Sequence, residues 1–87
     1  MRSVAYEVII KPSAQRDLDA LPRREVERLA KRIRLLSNDP RPFGVQKLSA
    51  SESYRIRSGS YRILFEIDDK LHKVFIYRVK HRREAYR

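Results

Sequence analysis

Apolar and polar residues alternate along the first half of the chain with two different periods. A period of two over residues 4–10 predicts a β-strand. A first helix, with Ser13 as its expected N-cap, is indicated by three apolar residues at helical spacing: Ala14, Leu18 and Leu21. Pro22 suits the first turn of a second helix, whose apolar stripe consists of Val26, Leu29, Ile33 and Leu36. The pattern therefore predicts a strand followed by a helical hairpin.

In the second half of the chain the period changes from that of a helix to that of a strand. Residues 37–42, rich in Pro, Asn and Asp, end the second helix, and residues 43–53 are expected to form a loop or an irregular segment. Three further strands are predicted over residues 54–57, 61–67 and 74–79. Residues 81–87 form a polar tail with room for one helical turn. The order β-α-α-β-β-β predicts an α+β fold, with the helical hairpin on one face of a small, mainly antiparallel sheet and a short C-terminal helical turn.

Composition narrows the class of protein. The chain has 87 residues, which fits a single domain over residues 1–87. It contains no cysteine, so a disulfide framework, a thiolate metal site and a thiol nucleophile are excluded. The sequence has neither a membrane-spanning run nor the apolar segment of a signal peptide, and we expect a cytoplasmic protein. With no Gly-rich phosphate loop and no evident set of metal ligands, we expect no cofactor and no metal.

The chain is strongly basic. Lys and Arg number 21 against 11 Asp and Glu, which gives a net charge of +10 at pH 7. Arginine, whose planar fork of N–H donors matches phosphate, supplies most of the basic residues. Charge of this kind is typical of proteins that bind nucleic acid, an anionic membrane surface or an acidic protein.

Strand parity places three arginines on one face of the predicted sheet. In an antiparallel pair, core residues must face core residues, so Ile56 faces either Tyr61 or Ile63. In both registers the face turned away from Ile56 carries the same arginines: Arg55, Arg57 and Arg62. Like charges across a ladder repel each other, and such a cluster therefore predicts an anion-binding surface. The structural alternative is a solvated face that discourages edge pairing.

The C-terminal tail and nearby segments add candidates for RNA contact. Arginines can hold phosphates and an aromatic ring can stack on a base, and the tail contains His81, Arg82, Arg83 and Tyr86. Further candidates for RNA binding are Lys47, Arg78 and Lys80. The pattern leaves the face of Arg78 open, and an ion pair with Glu66 or Glu84 is its structural alternative. The basic residues of the second helix are interpreted as a solvated face.

Two stretches of the second half carry a family pattern. Residues 57–62 read Arg-Ser-Gly-Ser-Tyr-Arg and are followed by apolar residues, and residues 81–86 read His-Arg-Arg-Glu-Ala-Tyr. Together with the strand and helical hairpin before them, these stretches resemble the RelE-type toxins of the RelE/ParE superfamily. The first stretch is shared by the RelE and ParE branches, whereas the second indicates the RNase branch. The resemblance covers nearly the whole chain and implies a RelE-like microbial RNase fold.

The resemblance implies a function and a set of partners. RelE-type toxins belong to type II toxin–antitoxin systems and act as metal-independent, ribosome-dependent endoribonucleases. They cleave mRNA in the A site by in-line attack of a 2′-hydroxyl and so arrest translation. The implied partners are a cognate antitoxin, in a hetero-oligomer, and the ribosome with its mRNA and rRNA backbone. A ParE-like inhibitor of DNA gyrase and an inactive antitoxin- or RNA-binding relative are the alternatives.

Residue roles follow from the resemblance by position. Arg55 and Arg57 take the two basic positions of the strand before the Gly turn, and Arg62 takes that of the arginine that binds the scissile phosphate. Arg82 takes the position of the arginine that protonates the leaving oxygen, and Tyr86 that of the tyrosine that stacks on a substrate base.

Two positions depart from the family pattern. Some relatives have Lys where Arg55 stands, and a lysine can act as a general base whereas an arginine hardly can. His81 is then the alternative group for proton transfer, or a residue that shapes the turn. Relatives often have Gly where Lys80 stands, so Lys80 adds charge just before the tail.

Overall fold

The structure is a computed structural model that describes residues 5–48 and 52–84. Its elements are β1 (Glu7–Ile10), α1 (Pro12–Asp19), α2 (Arg23–Leu35), β2 (Gln46–Leu48), β3 (Ser53–Ser58), β4 (Tyr61–Asp68) and β5 (Lys73–His81). The strands form one mixed sheet in the order β1-β5-β4-β3-β2, in which only β1 and β5 are parallel. The predicted α+β fold, with two helices and a mainly antiparallel sheet, is confirmed.

The sheet has one strand more than predicted. Residues 43–53 were expected to be a loop or irregular segment, but Gln46–Leu48 pairs antiparallel with β3. Three residues are too few for an alternating pattern to show, and Gln46 and Lys47 are exposed. Of the predicted tail, residues 82 and 83 form a turn and Glu84 lies in a 3₁₀ turn, while residues 85–87, with Tyr86, lie outside the described residues.

The helix starts differ from the prediction by one or two residues. Lys11 is the N-cap of α1, with Pro12 in the first turn, and Ser13 caps nothing. Its hydroxyl donates instead to the backbone carbonyl of Tyr77 at 2.6 Å. Pro22 is the N-cap of α2 and not a first-turn residue. Proline suits these helix starts because its φ is already near the helical value and its missing N–H is not needed there.

A single apolar core lies between the helices and one face of the sheet. The buried residues of the helical part are Ala14, Leu18, Leu29, Ile33 and Leu36. The sheet contributes Tyr54, Ile56, Ile63, Phe65, Ile67, Val74, Ile76 and Val79. The predicted apolar positions are therefore confirmed as the core, while Leu21 and Val26 are half-buried at its margin.

The register between β3 and β4 decides between the two predicted pairings. Ile56 faces Ile63 across the ladder, and Arg57 lies directly opposite Arg62. The arginines of these strands therefore share the face of the sheet that is turned away from the helices, as predicted. We call this side the distal face.

A β-bulge shifts the register between β4 and β5. Leu64 faces Arg78 whereas Phe65 faces Ile76, so Tyr77 is the extra residue of β5. The insertion changes the alternation by one residue. As a result Ile76 before the bulge and Val79 after it both reach the core.

Helix α1 completes the edge of β5 where β1 ends. The ladder with β1 stops at Ile76, beyond which Ser13 bonds the carbonyl of Tyr77. One turn later, the Asp17 carboxylate accepts a hydrogen bond of 2.8 Å from the backbone N–H of Val79. The same carboxylate binds the guanidinium of Arg78 at 2.8 Å, so the expected ion pair of Arg78 is made with Asp17 and not with Glu66 or Glu84. This hydrogen bond raises the pKa of Arg78.

We predict that Asp17→Ala lowers the free energy of unfolding by about 1–3 kcal/mol, because it leaves a strand N–H and a guanidinium without their acceptor. Urea unfolding measures the difference. The matched control is Asp19→Ala, which removes only an exposed hydrogen bond from Gln15 and should change stability by less than about 0.5 kcal/mol. Equal effects of the two substitutions would contradict this role of Asp17.

Candidate nucleic-acid interface

A row of three basic residues crosses the distal face. Arg57, Arg62 and Lys80 are direct neighbours on β3, β4 and β5. Adjacent strands lie about 4.8 Å apart, so the backbone positions of these three cationic residues fall within a span of about 10 Å. We call this set the basic row. A phosphate above Arg62 would have a further cation on each side.

A second row lies about 6.7 Å from the first, two residues along each strand. It consists of Gln46, Arg55, Leu64 and Arg78. The Gln46 side-chain oxygen accepts hydrogen bonds from two nitrogens of Arg55, which orients this guanidinium beside the basic row. Arg78 is instead turned over the edge of β5 by its ion pair with Asp17, so its place is structural.

The centre of the basic row is buried. Arg62 is 4% exposed, although it lies on the distal face, while Arg57 beside it is exposed. The prediction that Arg62 faces away from the apolar core is confirmed by the register. Its burial means that a substitution of Arg62 changes packing as well as charge.

Two predicted candidates lie on the other side of the sheet. His81 faces Tyr61, and the rings are 5.3 Å apart edge to face. Its Nδ1 accepts the backbone N–H of Arg83, so His81 organises the turn and does not join the basic row. Lys47 faces Tyr54, a core residue, and pairs with Glu52 at 3.8 Å. The sheet therefore separates both residues from Arg57 and Arg62.

The tail extends the β4–β5 ladder beyond the last strand. The backbone N–H of Arg82 donates to the carbonyl of Ser60 at 2.7 Å, and the alternation along β5 places Arg82 on the side of Lys80. The side chains of Arg82 and Arg83 are exposed. Tyr86, the predicted stacking residue, lies outside the described residues.

Helix α2 brings a further cation to the same end of the sheet. A terminal nitrogen of Arg28 lies 3.2 Å from the position that a Cβ on Gly59 would occupy. Gly59 lies in the β3–β4 turn close to Arg57. Its φ of +61° is in the left-handed region, which favours glycine. The helical pattern predicts only a solvated face for Arg28, because no local pattern shows that this face meets the turn.

The opposite end of the sheet is acidic and tightly hydrogen-bonded. Asp69 accepts hydrogen bonds from both terminal nitrogens of Arg41, at 3.2 and 2.8 Å, and from the Tyr6 hydroxyl at 2.7 Å. The bond from Arg41 contributes most, and together the two partners lower the pKa of Asp69 to about 2. A cleft of about 590 Å³ at this end is lined by Glu52, Glu66, Ile67, Asp68, Asp69, Lys70 and Phe75. This cleft is far from the basic row, and its carboxylates do not suit a phosphate.

Two kinds of feature are absent from residues 5–48 and 52–84. No group of three or more His, Asp or Glu side chains is placed to hold a metal ion. No helix in these ranges is long and apolar enough to cross a membrane.

Comparison with known proteins identifies the class to which this fold and basic face belong. The family model described as ParE toxin of type II toxin–antitoxin system, parDE, matches residues 8–86. The chain is similar to Toxin RelG of Mycobacterium tuberculosis, with 34% identity over 94% of this chain and 97% of the relative. The chain therefore belongs to the RelE/ParE superfamily of type II toxin–antitoxin toxins, and the predicted resemblance is confirmed.

Solved structures agree with this assignment. The RelBE2 toxin–antitoxin complex of Mycobacterium tuberculosis contains a chain with a TM-score of 0.79 and 32% identity, which covers 90% of this chain and 99% of that one. The archaeal RelE–RelB complex of Pyrococcus horikoshii gives a TM-score of 0.80 and 28% identity over 90% and 96% of the two chains. The helical hairpin and the mixed sheet are thus those of RelE structures.

We predict that Arg57→Gln raises the free energy of unfolding by about 0.2–1 kcal/mol, because it removes a like charge directly opposite Arg62. The gain should shrink at high salt, which screens the repulsion. Urea unfolding at two salt concentrations measures it, with Arg24→Gln on the exposed face of α2 as control. A loss of stability in Arg57→Gln would show that the row is not electrostatically strained.

We predict that Asp69 makes stability depend on acid pH. A folded-state pKa near 2, below the ordinary Asp value, stabilises the fold above about pH 4, and this contribution is lost as the pH falls from there towards 2. Asp69→Asn should therefore be less stable than the wild type at pH 7, and the difference should narrow over that range. Unfolding by urea at several pH values tests this, and Arg41→Gln should weaken the same pH dependence. A constant difference down to pH 2 would contradict it.

Proposed function

We propose that this protein is a metal-independent endoribonuclease that cleaves mRNA in the ribosomal A site and thereby arrests translation. The observation that carries the proposal is the basic row, with Arg57, Arg62 and Lys80 side by side on the distal face. The similarity to Toxin RelG and to RelE chains supports it. The 2′-hydroxyl of RNA supplies the nucleophile, so the protein has only to align and stabilise the reacting phosphate.

The basic row suits the charge that develops during this reaction. The 2′-oxygen forms a bond to phosphorus while the bond from phosphorus to the 5′-oxygen breaks, which leaves a 2′,3′-cyclic phosphate and a 5′-hydroxyl. Negative charge on the phosphate rises along the way, and cations held in place by a sheet stabilise it without reorganisation. Arg62 lies at the centre of the row and Arg57 beside it. Arg55, oriented by Gln46, supports them electrostatically and does not accept a proton.

The shape of the site favours an RNA substrate that is held in place by another macromolecule. The basic row lies on a sheet face, and the clefts of about 590 and 280 Å³ in the described structure are lined by other residues. Cleavage needs the attacking oxygen, the phosphorus and the leaving oxygen in line, and a flat surface alone does not hold a flexible RNA strand in that geometry. An mRNA codon fixed in the ribosome arrives already positioned. The exposed arginines of α2 and of the tail are then available for rRNA backbone, a contact that weakens with salt.

An antitoxin protein is the proposed second partner. The solved relatives named above are toxin–antitoxin and RelE–RelB complexes. A chain of net charge +10 favours a partner with an acidic binding segment. Such a segment over Arg57 and Lys80 would block the basic row, and the pair would form a hetero-oligomer.

Inhibition of DNA gyrase is the second candidate function. It is favoured by one observation, the match to the family model described for ParE toxins. A gyrase inhibitor acts by binding a protein, so its effect would not depend on the in-line chemistry of the basic row. A supercoiling assay with purified gyrase distinguishes it from the nuclease.

We predict that the wild-type protein cleaves mRNA inside the A-site codon of programmed ribosomes, and that Arg57→Gln lowers the cleavage rate by about 10²- to 10³-fold, the usual effect of losing one preorganised charge contact. Primer extension locates the cut and a rapid-quench assay gives the rate. Arg16→Gln, an exposed charge on α1, is the matched control and should retain the rate. Intact mRNA together with blocked supercoiling would replace the nuclease proposal by gyrase inhibition.

A further inference from the structure

Lys80 occupies a chemically distinct place in the basic row. It lies directly opposite Arg62 and is the lysine of a row whose other members are arginines. Its side chain is half-buried, and among the described residues it makes no hydrogen bond or ion pair. Its ammonium group is therefore available to a phosphate bound at Arg62.

The charged groups around Lys80 leave it without a carboxylate partner in the described structure. They include the cations Arg57, Arg62, Arg78 and Arg82 and the carboxylates Asp17 and Glu84, while Arg55 and Glu66 lie two and four residues further along the neighbouring strands. Asp17 is occupied by Arg78 and by a backbone N–H of β5. Glu84 accepts the backbone N–H of His81. Lys80 thus faces mainly cations, and an incoming phosphate is the anion that completes its surroundings.

The order of the strands places Lys80 on one side of Arg62 and Arg57 on the other. In-line displacement requires the attacking and leaving oxygens to lie on opposite sides of phosphorus. With the phosphate at Arg62, the oxygen on the β5 side of phosphorus lies next to Lys80, whose ammonium group can donate a proton but has no lone pair to accept one from an attacking hydroxyl. The position of Lys80 is therefore that of a donor to the leaving group.

The chemistry of the two candidate cations, Lys80 and Arg82, favours Lys80 as that donor. A departing 5′-oxygen carries an electron pair and needs a proton. An ammonium group gives up a proton more readily than a guanidinium, whose charge is delocalised over a planar fork. Arg82, to which the resemblance gives this role, is exposed beyond the last paired residue of β5.

We propose that Lys80 is the catalytic proton donor to the leaving 5′-oxygen; the inference rests on the nuclease function proposed above. As the 2′-oxygen bonds to phosphorus, its proton passes to solvent water. The bond from phosphorus to the 5′-oxygen breaks, and its electron pair takes a proton from Nζ of Lys80. The resulting amine regains a proton from water before the next cycle. Arg82 then contributes charge, and Lys80 contributes the proton.

The test compares two mRNAs on programmed ribosomes, one normal and one with sulfur in place of the 5′-oxygen at the scissile bond. A thiolate leaves without protonation, so the second substrate needs no proton donor. Lys80→Met should slow cleavage of the normal mRNA by about 10²- to 10⁴-fold, the range for general acid catalysis. On the sulfur substrate this defect should disappear. Lys80→Arg, which keeps the charge and the fold, should show the same defect and the same rescue.

Each result decides a separate question. A defect of Lys80→Met that is equal on both substrates, or a Lys80→Arg variant with the wild-type rate, would overturn the inference and leave Lys80 as a phosphate contact. Rescue by sulfur in Arg82→Met but not in Lys80→Met would assign the donor to Arg82 and also overturn it. If the wild-type protein cleaves neither mRNA, the proposed nuclease function itself fails. Arg83→Met, an exposed cation of the same tail, is the matched control and should behave alike on both substrates.

Discussion

Strand β5 needs hydrogen-bond partners along both edges, yet β1 stops halfway along it. The second half of that edge is completed by helix α1, whose Ser13 and Asp17 bond the backbone of Tyr77 and Val79. Buried backbone groups without partners are costly, so the side chains of a helix replace a missing strand. The same contacts hold α1 against the edge of the sheet. The basic row depends on this arrangement, because Lys80 follows directly.

The bulge in β5 and the anchoring carboxylate act together. With one extra residue at Tyr77, β5 presents Val79 to the core and Lys80 to Arg62. Without it, the residues after the bulge would exchange faces, since side chains alternate along a strand. Asp17 stabilises the shifted backbone and turns Arg78 away from the distal face. Arg78 is thereby a structural cation, separate from the cations of the basic row that are available to a ligand.

Charge is distributed unevenly along the sheet. Arginines crowd the end at the β3–β4 turn, where Arg57 and Arg62 repel each other, whereas Asp69 bonds Arg41 and Tyr6 at the opposite end. The second arrangement stabilises the fold at neutral pH, and the first costs stability in the absence of an anion. A site for a phosphate is expected to have this character, because the cations must be in place before the charge arrives.

Much of the fold and the centre of the site follow from the sequence by local rules. Helical and strand periodicity predicted both helices, the core positions and four of the five strands. Parity alone placed Arg55, Arg57 and Arg62 on one face, because side-chain direction in a regular strand is set by residue number. Only the tertiary structure decided what those rules do not reach. The three-residue β2 is too short to show an alternating pattern. The bulge reverses the alternation of side chains after Tyr77, so counting residues along β5 does not predict that Lys80 lies beside Arg62. Contacts between distant elements, such as Asp17 with Val79, are chosen by packing and by the need to satisfy buried backbone groups.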